Sequence, residues 1–423
     1  MGGQQMDAQE LIERMGKKAR ESAAGLALLN PEVKNHALLQ MADSFLSHKD
    51  IIKSENQKDM KAGEDKGLSK AMLDRLLLND RRIDEMANAL RAVASLNDPC
   101  GEIYDMHVRP NGLKIGRMRC PIGVIAIIYE SRPNVTAEAG CLCVKSGNAV
   151  ILRGGSEAIH SNTIIARLMA EAGTAAGLPE GAVQLIETTD RDAVSVLLRA
   201  NQYVDLIIPR GGTSLIKKVA EESTIPVIKH YSGNCFIYVD QTADISQATT
   251  IIDNAKTQRP GVCNALETLL IHREIASPLL ARLTPTLLNK GVEIRGDETV
   301  CTLVPKAVAA KESDWDEEYL DLILAIRIMD SIDEAIKFIN DHGSHHTDAI
   351  LTKDYGHAMK FLTAVDSSCV FVNCSTRFSD GGEFGMGCEI GVSTDKLHAR
   401  GPMGLKELTT SKFIVFGDGQ IRT

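Results

Sequence analysis

From Pro121 onward the chain alternates short apolar runs with amphipathic stretches, and this pattern restricts the fold more than any other feature. Gly123–Tyr129, Ala149–Leu152, Val183–Ile186 and Val204–Ile208 are such runs, rich in Val and Ile. Between them lie helical stretches at Val135–Lys145, Glu157–Ala176 and Asp192–Leu198, and Thr213–Glu222 follows the last. Apolar strands separated by helices predict a parallel sheet covered on both faces. A second α/β unit starts near Tyr231. Its predicted strands are Phe236–Val239, Glu267–His272, Leu322–Met329, Ala349–Leu351 and Val370–Asn373, and Ile245–Lys256 is a predicted helix.

The first hundred residues read as helices. Leu11, Ile12, Met15, Ala19 and Ala23 make one apolar stripe within Asp7–Leu29. Asn30-Pro31 supplies an N-cap and a first-turn proline for the next helix, and His36–Asn56 and Ser69–Ser95 repeat the pattern. Met106–Arg119 reads as a hairpin around Pro110-Asn111-Gly112, and Lys412–Phe416 as a lone strand. An uncovered strand edge invites association. The two segments are therefore expected to pair, within one chain or between chains, and to make at least a two-fold dimer.

Composition removes several function classes. A net charge of −9 leaves no basic footprint for nucleic acid. The longest apolar run is far shorter than the roughly 18 residues of a membrane helix. No charged-then-apolar leader opens the chain, so export is not expected; Met1–Gln5 reads as an extension ahead of an ordinary start at Met6. Ten cysteines in 423 residues are too few for a disulfide scaffold, so most are expected to be buried thiols in a reducing cytoplasm.

Ligands of parallel sheets sit at the carboxyl ends of strands, which directs attention to the strand-to-helix turns. The turns Arg153-Gly154-Gly155-Ser156 and Arg210-Gly211-Gly212-Thr213-Ser214 are alike, and together they favour a nucleotide held by backbone N–H groups and guanidinium. Neither is a Gly-x-Gly-x-x-Gly fingerprint. Tyr129–Asn134 ends a strand, with Asn134 as a helix cap or as an amide facing an anion. Cys263 lies on the turn Arg259-Pro260-Gly261-Val262-Cys263, where a thiol can face a cleft and act as a nucleophile. A buried inert cysteine is the plain alternative. His342, His345 and His346 crowd a Gly-containing turn without an evident carboxylate or Cys partner, and no metal site is assigned there. Asp314–Asp321 reads as a solvated acidic face around the single Trp.

The order of these parts resembles the aldehyde dehydrogenase superfamily, and within it the glutamate-5-semialdehyde dehydrogenases, also called γ-glutamyl phosphate reductases. The resemblance runs from about Asp7 to Thr423. It is most specific in IIYESRPNVTAEA (127–139), TQRPGVCNALETLL (257–270), FVNCSTRFSDGGEFGMGCEIGVST (371–394) and HARGPMGLKELTTSKF (398–413).

The resemblance implies an aldehyde dehydrogenase-like α/β fold: two α/β domains with parallel sheets, plus a small β-hairpin oligomerisation element. A cofactor-binding domain would span 1–104 and 120–230, a catalytic domain 231–400, and oligomerisation elements 105–119 and 401–423. Cys263 falls where the family has its catalytic thiol, and Asn134 where it has the amide facing the developing oxyanion. Arg153, with Gly154 and Ser156, falls at the adenosine ribose, where Arg153 suits the 2′-phosphate of NADP. Gly211 and Gly212 fall beside the cofactor phosphates, and Glu318 at the nicotinamide ribose. Arg132 and Arg377, in family-specific turns, are candidates for the glutamate main-chain groups. The implied activity is NADPH-dependent reduction of L-glutamyl 5-phosphate to L-glutamate 5-semialdehyde through a Cys thioester, in cytoplasmic proline biosynthesis. The implied partners are the small-molecule substrate and further copies of the chain, with functional coupling to a glutamate 5-kinase. Hydrolytic relatives carry a general-base Glu in a segment that here reads Lys229-His230-Tyr231-Ser232-Gly233-Asn234, with no Glu. The alternatives are a hydrolytic NAD(P)-dependent aldehyde dehydrogenase and a non-catalytic binding protein on the same fold.

Overall fold

The computed structural model describes residues 7–130 and 132–422. Ser131 of the Tyr129–Asn134 turn, Thr423 and the Met1–Gln5 extension lie outside the described residues. The chain divides into two compact units, one formed by 7–229, 385–391 and 403–422, the other by 230–384 and 392–402. Near its end the chain changes unit three times. Residues 385–391 return to the first unit, where Gly387 packs on Leu96 and Gly391 on the Arg210 guanidinium.

The first unit opens with helices α1 (Ala8–Leu26), α2 (Pro31–Ser47), α3 (Lys49–Asp65), α4 (Lys70–Leu76) and α5 (Asp80–Ser95). Asn30 caps α2 as expected, its side chain accepting from the Val33 N–H at 3.0 Å. The predicted helix over 36–56 breaks instead at His48, whose ring nitrogen lies 2.8 Å from the Ser44 carbonyl. The helix over 69–95 also breaks. Buried Asn56 reaches into the gap, donating to the Leu76 carbonyl and accepting from the Leu78 N–H, each at 2.8 Å. These backbone groups lose helical partners, and a distant amide replaces them.

Strands β1 (Ile103–Val108) and β2 (Lys114–Pro121) form the hairpin. Next come β3 (Val124–Tyr129), α6 (Asn134–Lys145), β4 (Ala149–Arg153), α7 (Ile159–Ala175), β5 (Val183–Leu185), α8 (Asp192–Leu197), β6 (Leu206–Arg210) and α9 (Thr213–Glu222). The sheet is parallel in the order β5-β4-β3-β6. Every residue of β3 is buried, which explains why that strand lacks polar alternation.

In the second unit β7 (Cys235–Val239), α10 (Ile245–Thr257), β8 (Leu266–His272), α11 (Arg273–Asn289), β9 (Glu293–Gly296), α12 (Glu298–Leu303), β10 (Val308–Ala309) and β11 (Ile323–Met329) follow in sequence. They are succeeded by α13 (Ile332–His342), β12 (Thr347–Leu351), α14 (Tyr355–Ala364) and β13 (Cys369–Val372). These strands form one parallel seven-stranded sheet, β10-β9-β11-β8-β7-β12-β13. A short antiparallel pair, β14 (Val392–Ser393) and β15 (Gly401–Pro402), completes the unit.

The terminal strand β16 (Thr409–Phe416) pairs antiparallel with β2 over eight registered positions, from Thr409 opposite Pro121 to Phe416 opposite Lys114. The expected pairing of tail and hairpin is thus made within one chain. Phe413, Val415 and Phe416 on β16 and Ile103, Met106 and Val108 on β1 remain exposed.

Two expectations need correction. The acidic stretch 314–321 is not simply a solvated face: Asp314 and Trp315 are buried, and Arg295 Nη1 meets Asp314 at 2.7 Å. Of the ten cysteines, only Cys141, Cys143, Cys235 and Cys369 are buried. The others are half-buried, four of them in segments between helices and strands.

Candidate active site

Cys263 sits on the loop joining α10 to β8, and that loop is fixed at both ends. Lys256, in the last turn of α10, and Glu267, second in β8, form a fully buried ion pair at 2.6 Å. Burial pushes Glu267 up and Lys256 down, each opposed by the charge of the other. Glu267 also accepts from the Leu320 N–H at 3.2 Å. Within the loop, Asn264 donates its side-chain amide to the Ser379 carbonyl at 2.9 Å, and its main-chain carbonyl accepts from the Thr376 hydroxyl at 2.8 Å. The Cys235 thiol donates to the Cys263 carbonyl at 3.2 Å. Gly233 lies against that same carbonyl, so any side chain there would collide with the Cys263 backbone. The backbone of the thiol is immobilised while its side chain stays partly exposed, which suits a nucleophile that must keep one geometry.

Two histidines surround the sulfur. His230, His346 and Cys263 each offer one donor atom, and these atoms all lie within 4.8 Å of one another. The imidazole rings meet edge to face, with centroids 5.6 Å apart. Two guanidiniums add positive charge. Arg377 donates Nε to Gln258 at 2.9 Å; burial lowers its pKa, Arg259 acts in the same direction, and the Cys263 sulfur opposes them. Glu318 accepts the Gly233 N–H, and burial raises its pKa. The structure therefore groups Cys263, Arg377 and Glu318 in the second unit, together with His230, His346 and Arg259.

The three crowded histidines diverge. His342 pairs with Asp316 at 2.8 Å and His345 lies 2.7 Å from the Asp366 carbonyl, whereas His346 turns toward the thiol. The sequence carried a signal for His346, three histidines in five residues, but nothing that linked it to a cysteine 83 positions earlier.

In the first unit a cleft of about 360 Å³ opens at the carboxyl ends of β3, β4 and β6, lined by Arg153, Ser156, Thr189, Arg191, Ser214 and Lys218 among others. A larger one of about 810 Å³, bordered by Asp59, Lys66 and His160, shares Ser156, Glu157 and Thr189 with it. Arg153 donates Nη1 to the Gly154 carbonyl at 2.7 Å and Nη2 to the Thr189 carbonyl at 3.5 Å. Its Nε is buried with no hydrogen-bond partner among the described residues. Each Gly-Gly turn receives a carboxylate. The Gly212 N–H donates to Glu130 at 2.8 Å, and Gly155 lies against Glu157. An anion already sits at the N-terminus of α9, where its dipole favours negative charge.

Asn134 is not a helix cap. Pro133 holds the cap position, and the Asn134 amide donates to Glu138 at 2.9 Å. Burial pushes Glu138 up, while Asn134, Arg210 and Arg132 pull the other way. Arg132 thus belongs with Asn134 and Glu138 in the first unit, and Arg377 with Cys263 in the second.

Comparison with known proteins places this geometry in context. The model of the aldehyde dehydrogenase family matches residues 2–311 and 297–414. The chain is 57% identical over 411 residues to a gamma-glutamyl phosphate reductase from Moorella thermoacetica, covering 97% of this chain and 98% of that protein. It is 55% identical to one from Caldanaerobacter subterraneus subsp. tengcongensis, covering 97% and 99%. The crystal structure of gamma-glutamyl phosphate reductase from Thermotoga maritima superposes with a TM-score of 0.96 at 46% identity, covering 97% of this chain and 100% of that one. An engineered glycolyl-CoA reductase with bound NADP⁺, 18% identical with a TM-score of 0.66 over 96% of both chains, shares the fold. The chain belongs to the aldehyde dehydrogenase family and, within it, to the gamma-glutamyl phosphate reductases.

Proposed function

We propose that this chain reduces L-glutamyl 5-phosphate to L-glutamate 5-semialdehyde and releases phosphate, a step of proline biosynthesis. The observation that carries the reading is a half-exposed thiol on a rigidly held loop, in a chain more than half identical over its length to proteins of that name. The Cys263 sulfur attacks the acyl carbon, a C–S bond forms, and the C–O bond to phosphate breaks. Phosphate is a good leaving group, so the step needs no strong general acid. Arg377 and Arg259 supply positive charge on the Cys263 side, where the phosphate departs. His346, whose donor atom lies within 4.8 Å of the Cys263 sulfur, is placed to take the thiol proton. The oxyanion role of Asn134 rests on the family resemblance; losing one such donor typically costs about 3–4 kcal/mol.

NADPH, when bound, supplies the hydride that turns the thioester into a hemithioacetal, which collapses to the aldehyde and frees the sulfur. Arg153, Arg191 and Lys218 on one cleft, with the Arg153 Nε lacking a partner, fit an extra phosphate on the adenosine ribose. Gly154, Ser156, Gly211 and Gly212 are proposed to border the same cofactor, and Glu318 its nicotinamide ribose. Arg153→Ala is expected to raise the KM for NADPH about tenfold more than that for NADH, because a charge-assisted contact with phosphate contributes roughly 1.5–3 kcal/mol. Equal losses with both cofactors would make Arg153 structural.

The decisive experiment runs the reaction backwards. NADP⁺ reduction with glutamate 5-semialdehyde should require inorganic phosphate, whereas a hydrolytic aldehyde dehydrogenase would proceed without it. Phosphate-independent turnover would establish that rival, and no turnover in either direction would favour a non-catalytic role.

Assembly belongs to the same reading. The exposed apolar residues of β1 and β16 form a surface for a second copy of the chain, so at least a dimer is proposed. Truncation after Leu408 removes β16 and should lower the mass by light scattering at micromolar concentration before it disturbs Cys263 chemistry. A fully active monomer of the intact chain would refute the assembly. No helix among the described residues is long and apolar enough to cross a membrane, and a cytoplasmic setting is proposed from the free thiols. Coupling to a glutamate 5-kinase fits a substrate whose acyl phosphate hydrolyses readily in water.

A further inference from the structure

We propose that His230, Cys263 and His346 form a binding site for a soft divalent cation, with Zn²⁺ as the prototype, and that the bound cation switches off the nucleophile. The three donors come from separate segments: the stretch before β7, the loop after α10, and the entry to β12. Two imidazoles and a thiolate are the donor set that borderline-soft cations select. The donors lie within 4.8 Å of one another. A tetrahedral zinc with ordinary bond lengths needs them about 3.3–3.7 Å apart, so closure requires side-chain shifts of no more than about 1 Å.

The surroundings fix the imidazoles in the required tautomer. His230 Nδ1 lies 2.9 Å from the Val392 carbonyl, which can only accept, so that nitrogen carries the proton and Nε2 the lone pair. His346 Nδ1 lies 2.8 Å from the Thr347 hydroxyl, and that hydroxyl spends its own proton on Ser379, also at 2.8 Å. His346 Nδ1 is therefore the donor to Thr347, and Nε2 again has the lone pair. Metal-binding histidines are typically oriented in this way, by an acceptor behind the ring.

Charges of both signs adjoin the cluster. Arg377 and Arg259 oppose a dication, while Glu318 interacts electrostatically with His346 and favours one. Three protein donors leave a fourth position for water, the pattern of an open rather than a structural zinc site. On binding, the Cys263 thiol loses its proton to solvent and its sulfur pair goes to the metal. The same pair cannot then attack an acyl carbon. Inhibition rests on the reading of Cys263 as nucleophile; binding does not.

The test uses Co²⁺ as a spectroscopic probe, added anaerobically to the full chain with a phosphine reductant. The expected result is a thiolate-to-cobalt charge-transfer band with tetrahedral ligand-field bands, saturating at one equivalent and displaced by Zn²⁺. Cys263→Ser should abolish the charge-transfer band. His230→Gln and His346→Gln should each raise the Kd for Co²⁺ about tenfold or more, in proteins whose far-UV circular dichroism matches the parent. Zn²⁺ should also slow alkylation of Cys263 by iodoacetamide. No band at one equivalent, a band that survives Cys263→Ser, or unchanged affinity in His230→Gln, the more exposed of the two, would overturn the site. The cobalt spectrum involves no substrate, so it stands or falls separately from the phosphate-dependence assay.

Discussion

Replacing Cys263 by serine is expected to lower kcat by about four orders of magnitude or more, with far-UV circular dichroism and unfolding midpoint unchanged. The side chains differ by one atom, and the loop is held through the backbone and through Asn264, so the fold loses little. The chemistry loses nearly everything, because a hydroxyl is far less acidic than a thiol and needs a strong base to become a nucleophile. Cys141→Ser and Cys374→Ser should keep turnover. Cys141 is buried inside α6, and burial pushes both the Cys141 and Cys374 thiols up, away from the reactive thiolate. Substantial steady-state turnover by the Cys263→Ser protein would end the thioester mechanism.

Glu267→Gln should be the most damaging conservative change for stability. It keeps the shape of the side chain and an acceptor for the Leu320 N–H, yet leaves the Lys256 ammonium buried without its hydrogen-bonded counter-charge, with only the weaker influence of Asp321 remaining. Breaking such a pair from one side costs about 3–5 kcal/mol, which urea denaturation would register as a lower midpoint at unchanged slope. The double variant Lys256→Met, Glu267→Gln should regain most of that loss, because no bare charge remains. If Glu267→Gln unfolds at the parental midpoint, the pair does not hold the nucleophile loop in place.

The parts of this molecule that the sequence reveals are those governed by local physics. Near-continuous Val/Ile strands announce a parallel sheet, and Thr213–Glu222 forms the helix its periodicity predicts. Helix α11 did not announce itself, since it carries Pro278 and Pro285 inside its span and proline ordinarily ends helices. The interruptions at His48 and at 77–79 are equally silent, for the second depends on Asn56 arriving from another helix. The site divides in the same way. Cys263 stands out because Pro-Gly places it on a turn, and Arg153 because it closes a strand. His230, His346 and the buried pair Lys256–Glu267 become meaningful only once distant segments meet, and Glu130 only once its carboxylate is found at the Gly212 amide.

The register of β16 on β2 has a bearing on how the chain is made. Residues 114–121 emerge from a ribosome about 290 residues before the segment that completes their sheet. At about 5–20 residues per second, that leaves an open strand edge waiting for about 15–60 s, while the whole second unit is synthesised. During that interval the β2 edge can be taken by the same segment of a neighbouring nascent chain. Chaperone demand should therefore extend over about the last two thirds of translation, and release of the C-terminal residues should be the event that commits each chain to its own sheet.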